Sequence, residues 1–166
     1  MILKIISGGQ TGIDKMGLEV AAELKIETGG CAPKGFITEN GTDYTLKNMY
    51  GLREVTDAET TEFAKKTGKS DRYTARTYIN TRDSDGTVYF SSDNNSPGSK
   101  TTRNGCNMFS KPFIMNPNID TLVDFINKHK ISVLNVAGNR GSKLNQRDAY
   151  NFRTILTNAI KQINGL

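Results

Sequence analysis

Apolar and polar positions along the chain switch between a strand period and a helix period, and the switches divide most of it into strand-turn-helix units. Ile2 to Ile6 is a short, nearly continuous apolar run closed by Ser7-Gly8-Gly9, the pattern of a strand buried in a parallel sheet. Ile13, Met16, Val20, Ala21 and Leu24 then recur at helical spacing. Thr11 is placed as an N-cap and Asp14 falls in the first turn, where the helix dipole favours an acid. Gly86-Thr87-Val88-Tyr89-Phe90 predicts a second core strand, preceded by the polar tract Asn80–Asp85 and followed by a turn at Ser96-Pro97-Gly98 that opens a helix to about Phe109. Pro112 to Met115 reads as a short strand. Asn118 caps a helix built on Ile119, Leu122, Val123 and Ile126, and Ile131 to Val136 is the last strong strand. A final helix turns Ala149, Phe152, Leu156, Ala159 and Ile163 toward the core.

Strands alternating with helices imply a parallel sheet with right-handed crossovers. The expected fold class is therefore α/β, a Rossmann-like three-layer domain with a mostly parallel sheet and helices on both faces, forming one domain over residues 1–166. Gly29-Gly30-Cys31 leads into Ala32-Pro33-Lys34-Gly35, and from Gly35 to Ser70 the chain is polar, turn-rich and weakly periodic. That stretch reads as a long excursion across the ligand side, the kind of segment that is usually either functional or mobile.

Charge narrows the partner. The formal net charge is +5, which favours an anion. The basic excess lies beyond Ser70, in Arg72, Arg76, Arg82, Lys100, Arg103, Lys111, Arg140, Lys143 and Arg147. These cations are scattered, with no zinc-finger spacing, basic helix or aromatic RNA-binding signature, so a small anionic ligand is favoured over nucleic acid. Cys31 and Cys106 have no metal-ligand spacing and read as reduced, partly buried thiols. The N-terminal apolar run is too short for a signal core or a membrane span, so a cytoplasmic protein is expected. Association into a homo-oligomer stays open.

Three turns share one design, an apolar strand leading through small or hydroxyl residues into a helix. They are Ser7-Gly8-Gly9-Gln10-Thr11-Gly12, Ser96-Pro97-Gly98-Ser99-Lys100-Thr101 and Ala137-Gly138-Asn139-Arg140-Gly141-Ser142-Lys143. In an open parallel sheet such turns lie at the carboxyl ends of the strands, where ligands collect. Backbone N–H groups at a helix start suit a phosphate, and glycine lets it approach. None of the three matches the Walker or dinucleotide spacing, which argues against an NTPase or an NAD dehydrogenase. Each turn also fits a plain strand ending.

Single residues carry the same two readings. Asp14 fits a helix-dipole acid or a ligand contact, and Gln10 and Thr11 fit helix caps. Lys34, set between Pro33 and Gly35, suits a phosphate-facing role. Arg82, Asp83 and Asp85 fit a salt-bridged corner or ligand recognition. Arg140 and Lys143 beside their glycine turn suit an anion. His129 ends a surface helix, and with no His or Cys partner a nucleophilic triad is unsupported.

Four blocks together resemble a known family: Ile5-Ile6-Ser7-Gly8-Gly9-Gln10-Thr11-Gly12-Ile13-Asp14, Gly30-Cys31-Ala32-Pro33-Lys34-Gly35, Asn80-Thr81-Arg82-Asp83-Ser84-Asp85-Gly86-Thr87 and Leu134-Asn135-Val136-Ala137-Gly138-Asn139-Arg140-Gly141-Ser142-Lys143. They are similar to the signature blocks of the molybdenum-cofactor carrier proteins, circularly permuted relatives of the lysine-decarboxylase-like Rossmann proteins. The resemblance spans nearly the whole chain. It departs at Asp93–Thr102, where family members carry a stretch rich in Gly-Gly-Thr. It implies a protein that binds molybdenum cofactor, a pterin with a phosphate and a dithiolene-held metal, without transforming it. A second reading is a protein that sequesters a nucleotide-derived signalling molecule. A third is a hydrolase of such a molecule, using Asp14, Asp83 or Asp85 as base or metal ligand.

Overall fold

The elements below come from a computed structural model describing residues 1–166. The first apolar run forms β1 (Lys4–Ile6), and α1 (Ile13–Glu23) returns the chain to β2 (Glu27–Gly29). There follow β3 (Cys31–Ala32), a single 3-10 turn at Lys34–Phe36, the hairpin β4 (Ile37–Thr38) and β5 (Gly41–Thr42), the one-turn α2 (Thr45–Asn48), β6 (Arg53–Glu54), α3 (Asp57–Thr67) and α4 (Thr74–Asp83). The remainder is β7 (Gly86–Phe90), α5 (Pro97–Met108), β8 (Phe113–Met115), α6 (Ile119–Lys128), β9 (Val133–Gly138), a 3-10 turn at Gly141–Lys143 and α7 (Gln146–Asn164).

Five strands pair in the order β2-β1-β9-β7-β8, and every pairing in this sheet is parallel. The chain is thus a Rossmann-like α/β fold. Alternation along the strands makes the two sheet faces chemically different. Ile5, Val88, Phe90, Leu134 and Val136 join residues of α1, α6 and α7 in one apolar core. On the other face Thr87 and Asn135 are buried, and the Asn135 amide donates to Thr87 Oγ1 at 3.1 Å. That face meets α4 and α5, which pack so closely that a Cβ on Gly105 would fall 2.6 Å from Thr81 Oγ1. No helix is long and apolar enough to cross a membrane.

Several expectations are corrected. The stretch from Gly35 to Ser70 is folded, not a structureless excursion: its segments build two further cores, one around Leu18, Phe36, Leu46 and Leu52, the other around Cys31, Val55, Phe63 and Ile79. Its helix α3 escapes a periodicity reading because Phe63 is its only buried residue. The signal that remained was the Thr56/Glu59 capping box, whose reciprocal bonds are both formed. The tract Asn80–Asp83 is the last turn of α4, polar because Asn80 is spent on backbone: it receives Cys31 N–H and donates to Cys31 and Arg76 carbonyls, each at 2.9 Å. Gly12, not Thr11, caps α1. The last strand runs on through Gly138, and the final helix buries Leu156 and Ala159 while Ala149, Phe152 and Ile163 are half-buried. The short edge strand β2 has no hydrophobic signature, since only Gly29 of its three residues is buried.

Candidate functional site

Helix α1 leaves β1 toward β2 on one side, whereas α5 leaves β7 toward β8 on the other. Between them, at the carboxyl ends of β1, β9 and β7, the departing chains part and open a crevice. A cavity of about 700 Å³ lies there. Each of the three glycine turns supplies part of its wall: Gln10 and Asp14 after β1, Asp93 and Ser96–Gly98 after β7, and Gly138–Arg140 with Lys143 after β9. A fourth wall, absent from the sequence reading, is the start of α4 with the residues before it: Lys69, Asp71, Tyr73, Thr74, Arg76 and Thr77.

Arg76 and Asp14 meet at the floor of this space. Arg76 Nη1 lies 4.0 Å from Asp14 Oδ2 and donates to Thr77 Oγ1 at 2.8 Å. Its Nε is buried with no hydrogen-bond partner, and its guanidinium carbon sits 5.7 Å from the centre of the Tyr73 ring. Gly8 makes room for it, because a Cβ there would fall 2.7–2.8 Å from the Arg76 side chain. Asp14 is almost wholly buried. Burial pushes its carboxyl above the ordinary range, against the pull of Arg76 and of the Gln10 and Gly138 N–H groups. With the carboxyl raised, the unfolded chain ionises before the native one, so Asp14 lowers stability as pH rises above the usual carboxylate range. Asp14→Asn is accordingly expected to raise the melting temperature near neutral pH and to leave it unchanged in acid, as followed by thermal unfolding at a series of pH values.

A second network fastens the first and third turns together. Glu39, between β4 and β5, receives the Thr11 hydroxyl at 2.5 Å, the Ser142 N–H at 2.9 Å and the Ser142 hydroxyl at 2.5 Å. Gly141 N–H donates to Thr11 Oγ1 at 3.0 Å, and Gln10 Oε1 accepts the N–H groups of Thr11 and Glu39. Burial pushes the Glu39 carboxyl up, but the bonds from Ser142 and Thr11 outweigh it and hold the group below its usual range. A depressed acid contributes stability above its unfolded value and loses it as pH falls through the folded one. Glu39→Gln should therefore cost about 1–3 kcal/mol at neutral pH, the scale of lost charge-assisted bonds. Urea unfolding should show the difference from the native protein shrinking on acidification.

The sequence-derived candidates separate into four groups. Gln10, Asp14, Gly98, Thr101, Gly138, Arg140 and Lys143 line the cavity. Thr11, Gly12 and Ser142 support it through the Glu39 network and the close passage of Gly12 beside Asn139 and Gly141. Gly9 packs on Leu46 and Leu52, Ser99 is buried against Ser96, and Lys100 faces solvent. The remainder lie elsewhere. Lys34 reaches away to pair with Asp57 at 2.9 Å, both exposed, while Gly35 turns the chain at φ 74°. Arg82, Asp83, Ser84 and Asp85 stand at the amino end of β7, opposite the cavity. There Asp85 receives Ser132 N–H, Ser132 hydroxyl and Val133 N–H at 2.8–3.0 Å, Arg82 pairs with Asp83, and Ser84 donates to Thr81 O. The first turn is not an open cradle: Gln10 N–H donates to Asp14, Gly9 N–H to Ser7 Oγ and Ile13 N–H to Asn139 O.

Arg76, Tyr73, Thr77 and Tyr89 are the functional candidates that sequence reasoning missed, and no local motif marks them. Arg76 counted only as one scattered cation. Neither cysteine reaches the cavity, and burial pushes the Cys31 thiol up to about 11. No three His, Cys, Asp or Glu side chains converge as a metal site.

Comparison with known proteins follows the same geometry. Residues 5–159 match the family described as "Circularly permutated YpsA SLOG family". Among solved structures, the crystal structure of a "Putative molybdenum carrier protein" from Syntrophus aciditrophicus SB superposes with a TM-score of 0.72 at 31% identity, covering 96% of this chain and 93% of that one. No curated protein matches the chain.

Proposed function

The chain belongs to the circularly permuted YpsA SLOG family, and from that premise we propose that it binds and carries a small phosphate-bearing ligand in the cavity at the carboxyl edge of its sheet. The observation that carries this reading is Arg76, a largely buried guanidinium that lines a space of about 700 Å³, meets Asp14 only at 4.0 Å and lies 5.7 Å from the centre of the Tyr73 ring. The planar, permanently charged guanidinium matches an oxyanion. Arg140, Lys143 and Lys69 add positive charge to the walls, and the volume suits a nucleotide-sized or pterin-sized molecule.

Molybdenum cofactor is the cargo that the sequence resemblance implies, and the structural neighbour's name, a molybdenum carrier protein, supports a molybdenum-bearing cargo. The residues present fit the anionic part of such a cargo: Arg76, Arg140, Lys143 and Lys69 would hold its phosphate. With no cysteine in the wall, the metal would stay on the cargo's own sulfurs. The glycine turns in this reading shape the walls and admit Arg76, while side chains supply most of the charge. A hydrolase of a nucleotide-derived ligand is the second reading, favoured by one feature, the raised carboxyl of Asp14 inside a cavity.

Incubation with molybdenum cofactor and with a panel of linear and cyclic nucleotides, with and without magnesium or manganese, tests both. Recovery of an intact ligand by chromatography and mass spectrometry is the expected result. Conversion of any panel member, abolished by Asp14→Asn without unfolding, would replace the carrier by the hydrolase. Retention of no phosphate-bearing ligand would overturn both.

A further inference from the structure

Asp14 and Arg76 form an incomplete pair. At 4.0 Å their contact is a loose ion pair, while Arg76 Nε has no partner. The Asp14 oxygen nearest Arg76 also accepts the Gln10 N–H at 3.1 Å. Both residues line the same cavity and stand 4.0 Å apart, so an anion bound by the Arg76 guanidinium there settles close to the Asp14 carboxyl. A second negative charge beside Asp14 disfavours its ionised form, because the two would compete for the one guanidinium that Asp14 contacts. A carboxyl held neutral by such a site can instead donate a hydrogen bond. The surrounding charged and titratable groups are Lys69 and Asp71 ahead of α4, Tyr89 on β7, Asp93 beyond it, and Arg140 and Lys143 beyond β9. None of these cations touches Asp14, which leaves Arg76 as its one cationic contact.

We infer that anion binding at Arg76 is coupled to the uptake of one proton by Asp14, whose neutral carboxyl then donates a hydrogen bond to a ligand oxygen. The inference rests on the anion-site reading above and adds its regulation. The proton comes from solvent, and no bond other than the carboxyl O–H forms. The direction agrees with burial, which already disfavours the ionised carboxyl in the free protein. Asp14 thereby distinguishes ligands: a dianion that accepts a hydrogen bond is retained, and it is released as pH rises.

Sulfate is the probe, because it keeps its charge while Asp14 titrates. Carbon NMR of the Asp14 carboxyl should place its titration midpoint at higher pH in saturating sulfate than in its absence. Between the two midpoints sulfate affinity should fall about tenfold per pH unit, the slope of a single linked proton. Asp14→Asn should bind sulfate with no pH dependence over that window, and the NMR measurement on the native protein stands if that variant does not fold. Sulfate binding that requires Arg76 but leaves the Asp14 midpoint unmoved would overturn the proton linkage and keep the anion site. Absence of Arg76-dependent sulfate binding would overturn both.

Discussion

Arg76→Ala is expected to weaken binding of phosphate-bearing ligands by about a hundred- to a thousandfold, the largest effect of any single substitution on ligand affinity. The guanidinium lines the cavity, and its Nη1 is held by Thr77 at 2.8 Å with Asp14 at 4.0 Å. Loss of two charge-assisted hydrogen bonds at about 1.5–3 kcal/mol each, partly offset by solvent filling the gap, corresponds to that range. Arg76→Lys keeps the charge but loses the planar fork, and should retain affinity intermediate between the two. Calorimetric titration with the ligand recovered from the native protein measures both. Affinity unchanged in Arg76→Ala, with normal thermal stability, would remove the residue from the site.

The largest expected effect on stability belongs to Gly30→Ala. Gly30 sits at φ 126°, and a Cβ there would fall 2.2 Å from the Ser7 carbonyl oxygen and 2.8 Å from its nitrogen. The obstacles are backbone atoms at the end of β1, so no rotamer change relieves them. The strain should cost about 3–5 kcal/mol, which for a chain of this size lowers the melting temperature by roughly 10 °C. The damage should also reach the cavity, because Asn80 links the Cys31 backbone to the Arg76 carbonyl. Gly41→Ala is the control: φ is again positive at 95°, but nothing lies within 4 Å. It should cost only the conformational strain of about 1–2 kcal/mol. Equal losses in the two variants would show that the close approach to Ser7 is unimportant.

These two substitutions mark different limits of a sequence reading. Gly30 stood inside a recognisable block, yet its reason is a contact with Ser7 that no spacing announces. Arg76 belonged to no block at all. Its helix carries Ala75, Tyr78 and Ile79 as buried apolar residues, too few to announce a helix whose other buried positions are Thr74, Asn80 and Thr81. Lys34, flanked by Pro33 and Gly35, had the local chemistry of a phosphate contact, but its turn directs it to Asp57. Asp85 read equally as a ligand acid or as part of a structural corner, and it ties β7 to the start of β9.

Periodicity by itself determined the strand-turn-helix units around β1, β7, β8 and β9, the parallel α/β class, and the three turns that reach the cavity. These follow from local rules, because the spacing of apolar residues sets which face of an element is buried, and glycine or a capping side chain sets where it ends. The tertiary structure alone decided the fourth wall, the pairing of Asp14 with Arg76, the Glu39 network and the diversion of Lys34 and Asp83–Asp85 from the site. Asp14 meets Arg76 only because α4 comes to the end of β1, and Glu39 reaches Thr11 and Ser142 only because the β4–β5 hairpin comes to the first and third turns. A side chain's charge is written in the sequence, but the burial that raises Asp14 and leaves Arg76 Nε without a partner exists only in the packed molecule.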